Sequence, residues 1–447
     1  MTGLIKDRLG EHADPAADDC AIGDVEAVMP ARRGVALGLQ QALVSNAWLD
    51  PIFVASVGGF SASLATNLVT ATFLAAGIVT VVQSTKLVRL PIVQGPSSAF
   101  SPLAIGYYKA GTIASASLGL LIGAGLVFLA AAGGQLARLR RLLSPAVSGT
   151  IIMLVGIALA GFTFQEFFGG PGMPTFGTLP SLVLGCLTTA AVLVCSALGG
   201  RLRMFGFLIA LVLGDCAALA LGLLDFSAVA TAPWLALPQF LPYGPLHFDL
   251  GITLTMSIVF LVAVVEAMGM YEATARLTRT PLDDRRVNMG IAGEAGGSML
   301  AALIGGFGTT AYAQNLGVVK ITGVASRHVV RIAGIIFIVL AFLPKVAAVL
   351  VATPAAVIGG LFLPAAGTVI MTGIQLASQE RGSAIKNLVA PLGLMAGLGI
   401  PALSSSFKGL PPLLAEMTSH SIVVGAVVVM AAEIVLVRLP ALLGAAD

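Results

Sequence analysis

Long apolar runs, separated by short polar or charged turns, recur along almost the whole chain after residue 30. Apolar residues follow one another without alternation, which favours membrane-spanning helices over barrel strands. A helix needs about 20 apolar residues to cross a bilayer. The candidate spans of roughly that length are 34–55, 60–82, 112–134, 145–164, 178–197, 204–223, 250–270, 328–350, 354–375, 386–403 and 419–441. Shorter or interrupted stretches at 96–109, 288–306 and 308–322 bring the prediction to fourteen crossings.

The amino-acid composition also indicates a chain that is embedded in a lipid bilayer. Of its 447 residues 57% are hydrophobic and only 10% are charged, against about 25% charged in a soluble domain. Backbone groups in lipid must be satisfied within helices, so we predict an all-α integral membrane protein. The net charge of +3 is too small to indicate a nucleic-acid partner. Residues 1–30 are polar and acidic without an apolar core, and we predict a cytoplasmic tail there.

The positive charges fall mainly on alternate loops. With a cytoplasmic N-terminus, the inside loops carry Arg32, Arg33, Lys86, Arg89, Arg138, Arg140, Arg141, Arg201, Arg203, Arg276, Arg279, Arg285, Arg286, Arg327, Arg331, Arg381, Lys386 and Arg438. The outside loops carry only Lys109, Lys345 and Lys408. This bias holds only if all three short segments cross the membrane, and it predicts that both termini are cytoplasmic.

Fourteen crossings divide into two repeats of seven, residues 31–225 and 226–447, and an odd-numbered repeat must be inverted in the membrane. The third and tenth spans then correspond, and both are short and broken. One contains Gln94-Gly95-Pro96-Ser97-Ser98 and the other Gly305-Gly306-Phe307-Gly308-Thr309-Thr310. Paired broken segments of this kind point to a transporter binding site, with helix N-termini facing a polar ligand.

Glu266 follows eight uncharged residues of the eighth span. An ionisable residue inside a span is costly and is usually functional. A carboxyl group in an apolar medium can bind and release protons near neutral pH, and it can accept a hydrogen bond from a ring N–H. We therefore predict a substrate-binding and proton-coupling role, the alternative being a structural hydrogen bond between helices.

Gln314 and Asn315 follow the break in the tenth span. An amide offers both a donor and an acceptor, which suits the edge of a heterocycle, although amides also join helices to one another. Asp50 and Asp215 are further intramembrane acids, and Asp50 precedes Pro51, which puts it at a helix break or near the outer surface. Glu294 is expected to orient neighbouring helices. The chain has no triad, H-E-x-x-H or P-loop pattern, so we predict neither an enzyme nor a bound metal or cofactor.

The residues that follow the break in the tenth span resemble the signature of a known transporter family. The stretch Gln314-Asn315-Leu316-Gly317-Val318-Val319-Lys320-Ile321-Thr322-Gly323 resembles the Q-N-x-G-x-x-x-x-T signature of the nucleobase–ascorbate transporter family (nucleobase:cation symporter 2). The continuation Val324-Ala325-Ser326-Arg327-His328 resembles the bacterial xanthine and uric acid permeases. Leu90-Pro91-Ile92-Val93-Gln94-Gly95 is similar to the approach to that family's third span, and Leu37-Gly38-Leu39-Gln40 to its first.

The resemblance implies a core domain of spans 1–4 and 8–11 and a gate domain of spans 5–7 and 12–14, usually in a homodimer of the bacterial inner membrane. It implies a base held between the third and tenth spans by Glu266 and Gln314. Backbone groups near Ser98, Ala99 and Ala313 would complete the site, with Tyr312 beside it and Asn315 in the signature. A Gln rather than a Glu at position 314 favours xanthine or urate over uracil.

Some positions depart from the family pattern. Gln41 replaces a first-span His, and Met270 stands where an acidic residue is often found. Ser98 replaces an aromatic residue, with Phe100 two positions on. Asp50 has no counterpart in the pattern. Gln41, Met270, Ser98 and Phe100 are among the residues expected at the substrate site, so these departures, together with Asp50, bear on the choice of substrate.

We take a proton-coupled nucleobase importer of the elevator type as the leading hypothesis. A uracil or other heterocycle carrier is one alternative. An anion carrier of the sulfate or bicarbonate type is another, against which Glu266 argues because a carboxylate repels anions. A membrane scaffold or receptor is a third, but it would need neither an intramembrane Glu nor paired broken helices.

Overall fold

We describe a computed structural model of the chain over residues 23–136, 144–380, 386–407 and 409–442. Most of the proposed tail, residues 1–22, lies outside the described residues. The same is true of Arg138, Arg140, Arg141, Arg381 and Lys408, which contributed to the charge pattern.

The described part of the chain is almost entirely helical. Its α-helices are α1 Ala31–Val44, α2 Leu49–Gly58, α3 Ala62–Thr85, α4 Ser101–Lys109, α5 Ile113–Ala132, α6 Pro145–Phe167, α7 Leu179–Leu198, α8 Gly200–Ala220, α9 Ser227–Thr231, α10 Leu250–Leu277, α11 Asp284–Ile304, α12 Ala313–Thr322, α13 Arg327–Ala341, α14 Pro344–Val351, α15 Ala355–Ala377, α16 Val389–Ala402, α17 Pro412–Thr418, α18 Ser421–Ala432 and α19 Leu439–Leu442. Short 3-10 turns occupy Ser98–Phe100, Lys386–Leu388 and Ser404–Ser406, and a π-helical segment covers Glu433–Arg438. The two strands are β1 Gln94–Pro96 and β2 Thr309–Ala311.

Within these residues, nine helical stretches are long and apolar enough to cross a membrane. They are α3, α5, α6, α7, α8, α10, α11, α15 and the stretch Ser421–Arg438. The eleventh predicted span is instead bent by 86° between α13 and α14, where Pro344 begins the second helix. The remaining predicted spans are built from shorter pieces.

The first predicted span is also broken, a few residues before the Asp50-Pro51 pair. Helix α1 ends at Val44 and α2 begins at Leu49, with Asn46 between them at a φ of 57°. Asp50 lies in the first turn of α2, where the positive end of the helix dipole stabilises a carboxylate. Of the two positions expected for Asp50, the helix break is correct.

The third and tenth spans meet through their non-helical parts. Strands β1 and β2 pair antiparallel, with Gln94 opposite Ala311 and Pro96 opposite Thr309. Two flanking bonds extend the pairing, from Tyr312 N to Val93 O at 3.0 Å and from Ser97 N to Gly308 O at 2.8 Å. This pairing satisfies backbone groups that would otherwise be exposed inside a bilayer. Helices α4 and α12 then start from this strand pair.

The helices pack as two groups. In the first, α13 packs on α1 and α3, and α11 and α10 pack on α5. In the second, α15 packs on α6 and α7, α16 packs on α18, and α8 packs on α7. Glycines bring backbones close within each group, since a Cβ on Gly77 would meet the Gly334 carbonyl at 2.7 Å and one on Gly149 would meet that of Gly373 at 2.6 Å. Small residues at helix contacts are the usual means of association in membranes.

Candidate functional site

Two consecutive serines connect the third span to two different carboxylates. Ser97 Oγ donates to Glu266 Oε2 at 3.0 Å, and Ser98 Oγ donates to Asp50 Oδ1 at 2.8 Å. Glu266 is half-buried on α10. The broken third span thus brings α2 and α10 to one place, directly before the start of α4.

Asp50 receives hydrogen bonds from both broken spans. Besides Ser98, Ser101 Oγ donates to Asp50 Oδ1 at 3.3 Å. The Tyr312 hydroxyl lies 3.3 Å from Asp50 Oδ2 and 2.9 Å from the Pro96 carbonyl, so its one proton is shared between them. Asp50 is 7% exposed, and its contacts fix the start of α4 relative to the start of α12.

The signature residues of the tenth span face in different directions. Ala313 and Gln314 are exposed at the first turn of α12. Asn315 is fully buried, and its Nδ2 donates to Gln41 Oε1 at 2.6 Å and to the Gln41 carbonyl at 3.0 Å. Gln314 is thus available to a ligand, while Asn315 and Gln41 join α12 to α1.

The other predicted site residues lie around the strand pair. Ala99 and Phe100 are buried, and Phe100 packs near Phe260 with ring centroids 6.4 Å apart. Tyr312 is buried with its ring against Gly95, where a Cβ would come within 2.5 Å of it. Met270 is half-buried one turn after Glu266 on α10.

Glu294 on α11 connects the strand pair to neighbouring helices. Its Oε1 accepts a hydrogen bond from Tyr271 of α10 at 2.8 Å, and Gln83 of α3 donates to the same tyrosine oxygen at 3.1 Å. The Glu294 carbonyl accepts from Thr309 Oγ1 of β2 at 3.0 Å. These contacts tie three helices to β2, and they are of the kind expected for an orienting residue.

Sequence reasoning did not single out Ser97, Ser101 or Gln94. Gln94 is fully buried, and neither polar atom of its side chain has a hydrogen-bond partner among the described residues. A buried unpaired amide is costly and calls for an explanation. The polar stretch from Gln94 to Ser98 in an apolar surrounding did indicate that this segment is functional. Which of its side chains face the site depends on the pairing of β1 with β2, which the sequence does not show.

Chemically, the arrangement places two carboxylates, several hydroxyls and one exposed amide beside the starts of α4 and α12. Such groups can bind a small ligand that carries N–H donors and carbonyl acceptors. No group of three or more His, Cys, Asp or Glu side chains within the described ranges is placed to hold a metal ion.

The fold is that of a known class of membrane transporter. The transmembrane domain of the cyanobacterial bicarbonate transporter BicA superposes with a TM-score of 0.59 at 16% identity, covering 92% of this chain and 99% of that one. The murine Solute Carrier 26 family member A9 anion transporter, in the inward-facing state, gives 0.64 at 13% identity, covering 93% and 69%. The predicted fourteen segments in a seven-plus-seven inverted repeat are thereby confirmed as the fold.

The chain belongs to the Xan_ur_permease family, described as a permease family, whose model matches residues 32–406. It is 33% identical over 408 residues to the uric acid permease PucK of Bacillus subtilis (strain 168), covering 88% of this chain and 93% of the relative. It is 29% identical over 402 residues to the xanthine permease of the same organism, covering 88% and 91%. The protein is therefore a multi-pass membrane transporter and not an enzyme, as the sequence predicted.

Proposed function

We propose that this protein imports an oxopurine nucleobase, xanthine or urate, by proton symport. The observation that carries the proposal is the half-buried Glu266, which accepts a hydrogen bond from Ser97 where the two broken spans meet. An intramembrane carboxylate at such a position can exchange a proton and can accept an N–H of the base. Relatives named as uric acid and xanthine permeases support the same substrate class.

In this proposal the base bonds Glu266 and the exposed Gln314. Ser98, Ala99 and Ala313 contribute through their backbone, and Tyr312, Phe100 and Met270 form the surrounding wall. Gln41 and Asn315 hold the first turn of α12 in place. A base with both N–H donors and carbonyl acceptors matches the carboxylate and the amide together.

Transport proceeds by sliding of a core domain, spans 1–4 and 8–11, against a gate domain, spans 5–7 and 12–14. In this proposal the first helix group described above belongs to the core domain and the second belongs to the gate domain. Contacts between the two groups include the stacked rings of Phe53 and Phe362 at 3.7 Å and the bond from Ser56 to Glu166. Contacts of this kind can break and re-form in an alternating-access cycle.

The proposal also includes the oligomeric state of the protein, the membrane in which it lies and its orientation there. The protein acts as a homodimer in the bacterial inner membrane with both termini in the cytoplasm. The charge bias of the loops supports the orientation. Labelling of single-cysteine variants by a membrane-impermeant thiol reagent, compared between intact cells and inverted vesicles, tests it.

The deciding experiment is uptake of labelled xanthine, urate, uracil and guanine into proteoliposomes, with and without an inward proton gradient. We expect gradient-driven uptake of xanthine or urate by the wild type and its loss in Glu266→Gln. Asp215→Asn is the matched control, because Asp215 is another acid within a span, on α8, where it accepts a hydrogen bond from Thr353 at 3.1 Å. Uptake unaffected by the gradient would contradict proton coupling.

Two outcomes would redirect the assignment. Uptake of uracil alone would keep the mechanism and contradict the reading of Gln314. Exchange of sulfate or bicarbonate without uptake of any base would contradict the nucleobase proposal and favour an anion carrier with the same fold.

A further inference from the structure

Asp50 lies where the N-terminal ends of three helices converge. It occupies the first turn of α2, it accepts from Ser98 and Ser101 at the start of α4, and Tyr312 is the N-cap residue of α12. Each helix N-terminus carries a partial positive charge of about half a unit. Without a carboxylate, three such ends would make a site that attracts anions.

The Asp50 carboxylate compensates this positive field from inside the protein. It is 7% exposed, and both of its oxygens have hydrogen-bond donors. Glu266 adds a second carboxyl group next to it, since the two acids bond consecutive serines. A negatively charged ligand entering here meets fixed negative charge that is poorly screened by water.

We propose that Asp50 is a charge-selectivity residue of the transport site, a built-in counter-anion that makes the site favour a neutral heterocycle over an anion. The inference rests on the proposed function and narrows it to the neutral form of the oxopurine. Asp50 acts by setting the charge of the site and by positioning Ser98 and Tyr312, which begin the two half-helices.

Asparagine at position 50 isolates the charge from the geometry. Its Oδ1 can still accept from Ser98 and Ser101. Its Nδ2 can donate to the Tyr312 oxygen, which then gives its own proton to the Pro96 carbonyl. Asp50→Asn thus keeps the number of hydrogen bonds while removing one negative charge, so a change in ligand preference reports the charge.

The test measures binding as the ligand-dependent shift in melting temperature of the purified full chain, titrated with xanthine, urate, sulfate and bicarbonate at neutral pH. Xanthine is mainly neutral under these conditions and urate is mainly a monoanion. We expect Asp50→Asn to raise the ratio of urate affinity to xanthine affinity by about tenfold, which corresponds to about 1.4 kcal/mol. An unchanged ratio in a folded variant would overturn the proposal, because a merely structural residue weakens both ligands alike.

Asp215→Asn is the matched control and should leave the ratio unchanged. The wild type supplies a measurement that does not depend on the variant folding, since sulfate and bicarbonate should give no shift and should not displace xanthine. Binding of either anion to the wild type would overturn the inference. Failure of the proposed function is separate, because it appears as absence of nucleobase uptake by wild-type proteoliposomes.

Discussion

Asn315 and Gln41 bond each other across two helices of opposite repeats, with Asn315 Nδ2 donating to Gln41 Oε1 at 2.6 Å and to its carbonyl at 3.0 Å. Both residues are buried, at 0% and 3% exposure. Sequence reasoning placed both at the substrate. Their hydrogen bonds attach α12 to α1. Gln314, which is exposed, lies next to Asn315 in the first turn of α12.

Asn315→Ala should therefore destabilise the protein. It leaves the buried Gln41 Oε1 without its donor, which costs about 1–3 kcal/mol, whereas the Gln41 carbonyl still accepts from the Ser45 backbone N–H at 3.1 Å. The measurement is the melting temperature of the purified protein. In a double-mutant cycle with Gln41→Ala, the two effects should not add fully, because both variants remove the bond between the two side chains. Additive losses would show that the two residues act independently.

Gln314→Ala should weaken substrate uptake without lowering the stability of the protein. The side chain is exposed, so its removal should leave the melting temperature within experimental error. If it bonds the base, uptake affinity should fall by about tenfold or more, since each 1.4 kcal/mol of lost binding is a factor of ten. Gln375→Ala, at another exposed glutamine on α15, is the control for both readings. Full uptake by Gln314→Ala would remove this residue from the site.

The sequence predicts the fold better than it predicts the site, for a physical reason. Hydropathy and charge fix which segments cross the membrane, because the bilayer penalises every exposed polar group. The site depends on pairing between distant segments. Ser97 and Asp50 gain their meaning only when β1 pairs with β2 and the first span breaks before Leu49. The Asp50-Pro51 pair indicated a break as one of two possibilities, but it did not indicate which side chains Asp50 would contact.

Gly95→Ala should damage the centre of the strand pair. An added Cβ would approach the Tyr312 ring to 2.5 Å, so the ring must move away from Pro96 and Asp50. Overpacking of this kind typically costs about 1–3 kcal/mol, and we expect both the melting temperature and uptake to fall. Gly106→Ala on α4 is the control, since a Cβ there has open space. If Gly95→Ala and Gly106→Ala had the same melting temperature and the same uptake, the close contact between Gly95 and the Tyr312 ring would be contradicted.

Glu26 joins the N-terminal segment to the start of α13. It bonds Arg327 at 2.5 Å and Arg89 at 2.9 Å. The hydrogen bond from Arg327 lowers the pKa of Glu26 in the folded protein, with Arg89 adding to the effect and desolvation opposing it. A lowered folded-state pKa means that the contribution to stability is present above the unfolded pKa and is lost as the pH falls through the folded one.

Glu26→Gln should accordingly lower the melting temperature at neutral pH, and the difference from wild type should vanish on acidification. Glu26 is about half exposed, so the effect should stay below about 1 kcal/mol. Glu272→Gln removes an i,i+4 pair with Arg276 instead and should give a smaller difference. A pH-independent loss in Glu26→Gln would show that charge is not the cause.

Tyr107 joins α4, near its end, to α17. Its hydroxyl donates to Glu416 Oε1 at 2.7 Å, and His420 Nε2 lies 3.0 Å from the same oxygen. The hydrogen bond with His420 lowers the pKa of Glu416, with the Tyr107 bond also lowering it and desolvation opposing both. In the proposed cycle α4 belongs to a core span and α17 lies between two gate spans, so sliding of the domains would strain this contact.

Tyr107→Phe should therefore loosen α17, which carries Glu416. A hydrogen bond to a charged group contributes about 1.5–3 kcal/mol, so amide hydrogen exchange in residues 412–418 should quicken by about tenfold or more. Exchange in the wild type, corrected for the intrinsic pH dependence, should rise in the same residues as the pH falls through the lowered pKa of Glu416. Tyr108→Phe keeps the ring that stacks on Phe60 at 3.6 Å and should leave α17 unchanged. Unaltered protection in Tyr107→Phe would mean that packing, and not this hydrogen bond, holds α17 in place.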